Sequence, residues 1–279
     1  MQILLVIVFS TFGLIIGSFL NVVIYRFNTK KSLGGRSGCM SCQNKLCWYE
    51  LIPLFSFLGL KGRCRNCQTR ISIQYPLVEL ATGLVFAGLF LKFQNIFFSN
   101  ILIFNLAYIY YAGMFSLLVV IAGYDLKHKI IPDSLSFVFG LLAFAGLFFF
   151  GGESNHFSLF SWHIPPILEL LAGVLIALPF AFFWLVSSGR WMGLGDAKLA
   201  LGIGWLLGFV NALSGLVLAF WFGAMVGIFL VVLSRLDSAR LAKNGRISRI
   251  GMKSEIPFAP FLVLGAFLAF IFNLNLFGI

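Results

Sequence analysis

Charge is scarce in this chain: Asp, Glu, Lys and Arg together make up only 10% of its 279 residues, whereas 60% are hydrophobic. This composition lies far outside the range of soluble globular domains and excludes that class. Runs of about 20 apolar residues are long enough to cross a bilayer as helices. We therefore expect an all-α membrane protein, a polytopic bundle of about eight transmembrane helices. The predicted spans are residues 3–25, 76–92, 101–123, 135–150, 167–187, 197–209, 213–234 and 258–277, of which the sixth is short.

Several sequence signatures are also missing. No basic n-region precedes the first apolar run, so we expect this run to remain in the mature protein rather than act as a cleavable signal peptide. No convincing internal repeat is visible, which counts against an inverted-repeat transporter. The sequence offers no convincing Ser, Cys or His arrangement for nucleophilic catalysis, and no strand–turn–helix GxGxxG loop for a nucleotide.

Lys and Arg are distributed unevenly along the predicted topology. Nearly all of them fall in loops on one side of the eight spans, and only Lys92 falls opposite. The positive-inside rule then places the loop 26–75, the loop at Asp125, the turn at Asp196 and the loop from Arg235 in the cytoplasm. The net charge of +11 is expected to contact anionic lipid headgroups, not nucleic acid.

Two aspartates beside apolar runs carry the strongest chemical signal. Asp125 lies in GYDLKHKIIPD and Asp196 in MGLGDAKLALG. An ionisable group at membrane depth costs about 2.5 to 3.5 kcal/mol on insertion scales, although either residue alone could be a cap or an interface residue. Gly193 and Gly195 have no Cβ, so a helix or a substrate backbone could come close. Two adjacent carboxyls can divide the roles of general base and protonated electrophile, which predicts an aspartic peptidase.

Four of the five cysteines form two CxxC pairs in the loop 26–75, with 21 residues between the pairs: Cys39 and Cys42, then Cys64 and Cys67. This spacing is just beyond the about 15 to 20 residues typical of paired CxxC zinc sites, but two such pairs remain a strong signal for a structural zinc site. A bound ion would order a loop too small for its own core. Disulfides are the weaker alternative because the cytoplasm keeps thiols reduced, and a redox pair is weaker still.

The apolar segment 47–60 lies between the two cysteine pairs. It is too short to span, so we expect it to form a helix on the bilayer surface. Cys47, at its start, belongs to neither pair and is expected to be a free, half-buried thiol.

Taken in order, several sequence blocks of this chain resemble those of the type IV prepilin leader peptidases, which are bifunctional membrane aspartic enzymes of bacteria. The resemblance covers nearly the whole chain, and so many blocks in one order are highly specific. It implies that Asp125 and Asp196 are catalytic and that the four paired cysteines are the cysteines of the family. The blocks are GSFLNVVIYR (17–26), RSGCMSC, WYELIPLFSFLGLKGRCRNC, ISIQYPLVEL, DLKHKIIPD, GLGDAKL and PFAPFL (257–262).

The family resemblance also implies an activity. Such enzymes remove a short basic leader from prepilins and pseudopilins, at the cytoplasmic face of the bacterial inner membrane, and then N-methylate the new terminus from S-adenosylmethionine. A scissile bond at the membrane boundary agrees with the placement of the aspartates, whereas methylation depends on the resemblance alone. The alternatives are a cation-coupled transporter that uses the carboxylates as ligands, and a non-catalytic assembly scaffold.

Glu79 and the domain boundaries complete the predictions. Glu79, in YPLVEL at the mouth of the second span, could recognise the new amine of the substrate or the cofactor, or could pair with a loop arginine. The expected organisation is a first transmembrane helix (1–25), a cytoplasmic four-cysteine loop domain (26–75) and a transmembrane aspartic peptidase domain (76–279).

Overall fold

The computed structural model describes residues 2–29, 32, 34–150, 165–190, 192–241 and 257–278. Those ranges contain nine α-helices and no β-strand, which confirms the all-α prediction. The basic residues expected to face the cytoplasm at positions 242–256 lie outside the described residues, as do Lys30 and Lys31. The helices are α1 (Gln2–Arg26), α2 (Phe55–Gly59), α3 (Gln74–Ser99), α4 (Ile101–His128), α5 (Asp133–Phe150), α6 (Ile167–Ser187), α7 (Leu194–Leu207), α8 (Phe209–Leu241) and α9 (Ala259–Phe272).

Each of the eight predicted spans coincides with a helix, but only six of the described helices are long and apolar enough to cross a membrane. The two short ones, α7 and α9, have 14 residues each. At 1.5 Å per residue, a helix of that length measures about 21 Å, less than the roughly 30 Å of the hydrocarbon core. Gly208, with φ of 75°, ends α7 directly before α8 begins. The described residues therefore have one helix for each predicted span, six of them with the length of a full crossing and two of them shorter.

The described residues divide into two compact units, one running up to Tyr124 and the other starting at Asp125. In the first unit, α1 packs along α3. A Cβ at Gly17 would lie 2.8 Å from the Cα of Glu79, and a Cβ at Gly13 would lie 2.7 Å from the Cβ of Phe86. Glycine at these two positions therefore lets the backbones of α1 and α3 approach closely.

In the second unit, α7 packs against both α5 and α6, and α8 packs against α9. The indole Nε1 of Trp205 on α7 donates to the carbonyl oxygen of Leu170 on α6 at 2.9 Å. A Cβ at Gly202 would lie 2.6 Å from the ring of Phe139 on α5. Contacts on both of its sides hold α7 in place, and its first turn carries Asp196.

The loop segment 47–60 is not one helix, contrary to the prediction. It forms a 3-10 turn (Trp48–Leu51) and the five-residue α2, separated by Pro53 and by Leu54 with φ of 60°. Proline cannot donate a backbone hydrogen bond, and a positive φ interrupts a right-handed helix. The segment still exposes large apolar side chains, including Trp48 (77% exposed) and Phe55 (71%).

Candidate active site and metal centre

Asp125 lies in the last turn of α4 and is buried, with only 5% of its surface exposed. Its Oδ2 accepts a hydrogen bond from the backbone N–H of Ala259 at 3.3 Å. Ala259 is the first residue of α9, so the carboxyl group faces the amino-terminal end of a helix. Free N–H groups at such an end favour an anion, which gives a buried carboxylate a partner in place of water.

Asp196 is the third residue of α7 and is likewise buried. Its carboxyl group lies beside Gly193, the residue that caps α7, because a Cβ at Gly193 would be 3.8 Å from Asp196 Oδ2. Side chains at this position commonly reach back to the cap residue in the same way. The Asp196 side chain therefore lies at the start of α7, and neighbouring helices pack against α7 on two sides.

The two carboxyl groups belong to the same unit and lie close enough to interact electrostatically. Asp125 and Asp196 are 71 positions apart in sequence, and the fold brings them together in the second unit. Two adjacent carboxyls do not ionise together easily, so sharing one proton is the favourable state. Such a pair can act as base and acid at the same time.

The residues that follow α4 contact the start of α7. Lys198 Nζ donates to Asp133 Oδ1 at 2.6 Å and links the first turns of α7 and α5. Gly195 lies so close to Ile131 that an added Cβ would be 2.9 Å from the Cβ of Ile131. The close packing of Gly195 on Ile131 sets the position of the start of α7, which carries Asp196, whereas the exposed ion pair contributes little.

The four paired cysteines come together in the loop of the first unit. All four Sγ atoms lie within 4.8 Å of one another, and those of Cys39 and Cys67 are 3.7 Å apart. In a tetrahedral zinc site with Zn–S bonds of about 2.3 Å, neighbouring sulfurs are about 3.8 Å apart. The cluster therefore fits a tetrahedral metal ion. Hydrogen bonding with Thr69 lowers the pKa of Cys67 to about 6, which favours the thiolate that a metal requires.

The two CxxC pairs fold into the same kind of turn. In each turn, the first cysteine donates one hydrogen bond through its backbone N–H and accepts one at its backbone carbonyl oxygen. The glutamine after the second cysteine has a positive φ, 57° at Gln43 and 56° at Gln68. This local repeat, CxxCQ, was visible in the sequence and was missed there. The matched bonds are Cys39 N–H to Asn44 O at 3.0 Å and Cys64 N–H to Thr69 O at 2.9 Å, with Gln43 N–H to Cys39 O at 2.9 Å and Gln68 N–H to Cys64 O at 3.0 Å.

Cys47 is exposed, so the expectation of a half-buried thiol was wrong. The fifth cysteine lies outside the cluster of four. Its backbone N–H donates to Glu50 Oε2 at 2.8 Å, which holds the residue at the loop surface as the cap of the 3-10 turn.

Glu79 lies on the first turns of α3 and is 8% exposed. Its Oε2 accepts the backbone N–H of Leu54 at 2.9 Å, and Ser18 is a second polar neighbour of the carboxyl group. Neither partner is the loop arginine that the sequence suggested as an alternative. The contact with Leu54 ties the cysteine loop to α3.

Comparison with known proteins identifies the family of this chain. Residues 11–93 match the bacterial peptidase A24 N-terminal domain, and residues 112–228 match the type IV leader peptidase family. A prepilin leader peptidase/N-methyltransferase of Bacillus subtilis is 31% identical over 265 residues, which make up 94% of this chain and 92% of that protein. The chain belongs to the type IV leader peptidase family.

Two further relatives carry the same description. The protein of Myxococcus xanthus is 36% identical over 226 residues, or 79% of this chain and 61% of the relative. That of Pseudomonas aeruginosa is 28% identical over 290 residues, or 94% of this chain and 88% of the relative. No solved structure matches the chain significantly. These matches support neither the transporter nor the scaffold alternative.

The model of the type IV leader peptidase family includes both aspartates, and the N-terminal domain model includes the four cysteines and Glu79. Two residues beside these candidates were given no role in the sequence analysis. Ala259 supplies the N–H that binds Asp125, and Asn21 lies almost fully buried on α1. The sequence could have singled out Asn21, because it is a polar residue in an otherwise apolar helix. It could not have singled out Ala259, because every residue except proline has a backbone N–H.

The two glycines before Asp196 should respond differently to substitution. Gly195→Ala places a methyl group against Ile131, so we expect α7 to shift and leader removal to slow by roughly tenfold or more, since small displacements of catalytic groups are costly. Gly193→Ala is the matched control. Its added Cβ would lie 3.8 Å from Asp196 Oδ2, an ordinary contact, at a φ of −76° that alanine adopts freely. Rates of prepilin cleavage by the two purified variants test this difference, and equal rates would contradict it.

Proposed function

We propose that this chain is a membrane aspartic endopeptidase that removes the leader of type IV prepilins or pseudopilins and then N-methylates the new N-terminal residue. The observation that carries the proposal is the pair of buried carboxyl groups, Asp125 and Asp196, which interact at the ends of two helices. The printed names of the relatives, prepilin leader peptidase/N-methyltransferase, support the same activities.

In the proposed cleavage, one aspartate is ionised and the other is protonated. The ionised carboxylate takes a proton from a water molecule, whose oxygen attacks the scissile carbonyl carbon. The protonated partner donates to the carbonyl oxygen as it gains negative charge. When the C–N bond breaks, the leaving amine receives a proton from the pair, and the pair takes back a hydroxyl proton of the tetrahedral intermediate as the carbonyl group forms again. The leader departs as a carboxylic acid, which then ionises in water. The pair then shares one proton again.

The substrate assignment follows from the depth of the site. A pilin precursor has a charged leader followed directly by a long apolar helix, so its scissile bond lies at a membrane boundary. Asp125 is in the last turn of α4, one of the six helices long and apolar enough to span. The basic loops favour a cytoplasmic location for this end of α4, in a multi-pass protein of the bacterial inner membrane that contacts lipid. The same basic loops would repel a basic leader, so apolar contact must supply binding.

Zinc and S-adenosylmethionine are the proposed cofactors. Zinc would be held by Cys39, Cys42, Cys64 and Cys67 and would order the loop 26–75, which we treat as a domain between the first helix (1–25) and the peptidase domain (76–279). S-adenosylmethionine, when bound, supplies an electrophilic methyl group. Neither a nucleic-acid partner nor an additional metal is needed for the proposed reactions.

A single assay tests both activities. The purified protein in detergent or lipid is incubated with a prepilin and S-adenosylmethionine, and the product is weighed by mass spectrometry. We expect loss of the leader together with the gain of one methyl group on the new terminus. An uncut precursor would contradict the peptidase assignment, and a cut but unmethylated product would contradict the methyltransferase assignment.

A further inference from the structure

Burial ends abruptly at Asp125, near the carboxyl-terminal end of α4. Residues 121–125 are all buried, whereas residues 126–130 are all exposed. The helix ends at His128, and Lys129, with φ of 55°, donates its backbone N–H to the carbonyl oxygen of Asp125 at 2.7 Å. Asp125 is therefore the last buried residue of α4. The direction of its carboxyl group depends on the hydrogen bond from α9 and on the contacts of the turn just before it.

Gln74, the first residue of α3, makes a polar contact with that turn. Its Nε2 donates to the carbonyl oxygen of Gly123 at 2.6 Å, and Gly123 lies two positions before Asp125 on α4. A backbone carbonyl oxygen has two lone pairs, so it can accept this bond in addition to a helical one. The cleavage step described above gives Gln74 no role, yet its amide binds the turn that leads into a predicted catalytic acid.

The amide group of Gln74 is also contacted at its oxygen. The hydroxyl of Tyr25 donates to Gln74 Oε1 in a long hydrogen bond of 3.5 Å. The Tyr25 ring is itself held by the ring of Tyr75, which lies parallel to it at 4.6 Å between centroids. An amide has one acceptor end and one donor end, so a hydroxyl at Oε1 leaves Nε2 facing the carbonyl oxygen of Gly123. The side chain is thus oriented before it reaches α4.

Two apolar side chains near the end of α1 reach the same turn of α4. A Cβ at Gly123 would lie 2.6 Å from Cδ1 of Ile24 and 3.6 Å from Nε2 of Gln74, so glycine leaves room for both side chains. Phe27 packs edge-on against Tyr124, with ring centroids 5.8 Å apart. Apolar contacts of this kind have no preferred direction, whereas a hydrogen bond does. The bond from Gln74 is therefore the contact that fixes how the turn is rotated.

We propose that Gln74 is a positioning residue of the peptidase, which sets the rotation of the last turn of α4, and so the direction of the Asp125 carboxyl group, by binding the carbonyl oxygen of Gly123. The proposal rests on the peptidase half of the proposed function. In this role Gln74 acts through the helix that carries Asp125 and touches no reacting atom itself. The effect on rate is large because a misplacement of about 1 Å can slow a reaction by roughly 100-fold.

Gln74→Met tests this role, because methionine has a similar length but no N–H donor. We expect kcat for prepilin cleavage by the purified variant to fall by roughly tenfold while KM stays within about twofold, since the chemical step, not substrate binding, needs the carboxyl group in place. Gln74→Lys keeps an N–H donor at this position and should recover most of the lost rate. The matched control is Gln94→Met, the same change on the same helix about 30 Å away, which should cut at the wild-type rate.

Melting temperatures separate a displaced carboxyl group from a less stable protein. Positioning predicts that Gln74→Met melts close to Gln94→Met and still loses kcat well below that temperature. A loss that appears only near a lowered melting temperature, or that Gln74→Lys does not recover, would show a purely structural role and overturn the proposal. If the wild type cuts prepilin and Gln74→Met cuts equally fast, only the role of Gln74 fails. If the wild type leaves prepilin uncut, the peptidase assignment fails and this role fails with it.

Discussion

Replacing Asp125 with Asn is expected to lower the rate of leader removal by roughly 10³- to 10⁴-fold, and Asp196→Asn should have the same effect. An amide cannot take a proton from water, although Asn at position 125 could still accept the N–H of Ala259 and so preserve the packing of α9. The measurement is kcat/KM for prepilin cleavage by purified variants. The double variant should be no slower than either single one, because the two acids act as a unit.

The matched control for these variants is Asp133→Asn. Asp133 is close in sequence to Asp125 and is also acidic, but its side chain is 76% exposed in its ion pair with Lys198. Exposed ion pairs contribute about 0 to 1 kcal/mol, so we expect cleavage within roughly threefold of the wild type. The paired-acid mechanism would be wrong if either Asp125→Asn or Asp196→Asn cleaved at the rate of this control.

Much of the fold could be predicted because it depends on apolar run length. Each apolar run that was long enough to be predicted as a span became a helix, since a backbone without water can satisfy its hydrogen bonds only within the helix. The helix ends were less predictable. The break at Gly208, which shortens α7, and the turn at Leu54, which splits the segment 47–60, both depend on a local positive φ. Apolar composition does not predict where a residue adopts a positive φ.

The candidate site was predicted to a similar extent. Asp125 and Asp196 could be singled out because they are acidic residues beside apolar runs, where burial of a charge costs free energy. The four cysteines could be singled out by their CxxC spacing. The partners of these groups did not stand out. The N–H of Ala259 reaches Asp125 across 134 positions of sequence, and the backbone N–H of Leu54 reaches Glu79 from a loop. Such hydrogen bonds form only in the tertiary structure, so no local sequence pattern predicts them.

The second large effect is expected at the cysteine cluster. Cys39→Ser or Cys64→Ser removes one of four ligands, so we expect the bound zinc to fall from about one ion per chain to near zero. Binding of a structural zinc ion is worth about 10 to 16 kcal/mol in zinc-finger peptides, and the loop has little other means of staying ordered. Metal analysis of the purified protein measures the first effect. Limited proteolysis measures the second, and we expect new cuts within residues 34–72.

Cys47→Ser provides the matched control for the metal site, because Cys47 lies in the same loop but is exposed and outside the cluster. This variant should keep its zinc and its resistance to protease. Chelator treatment of the wild type should reproduce the cuts seen in Cys39→Ser, since both remove the same ion. Full zinc content in Cys64→Ser, or its loss in Cys47→Ser, would contradict a four-cysteine site.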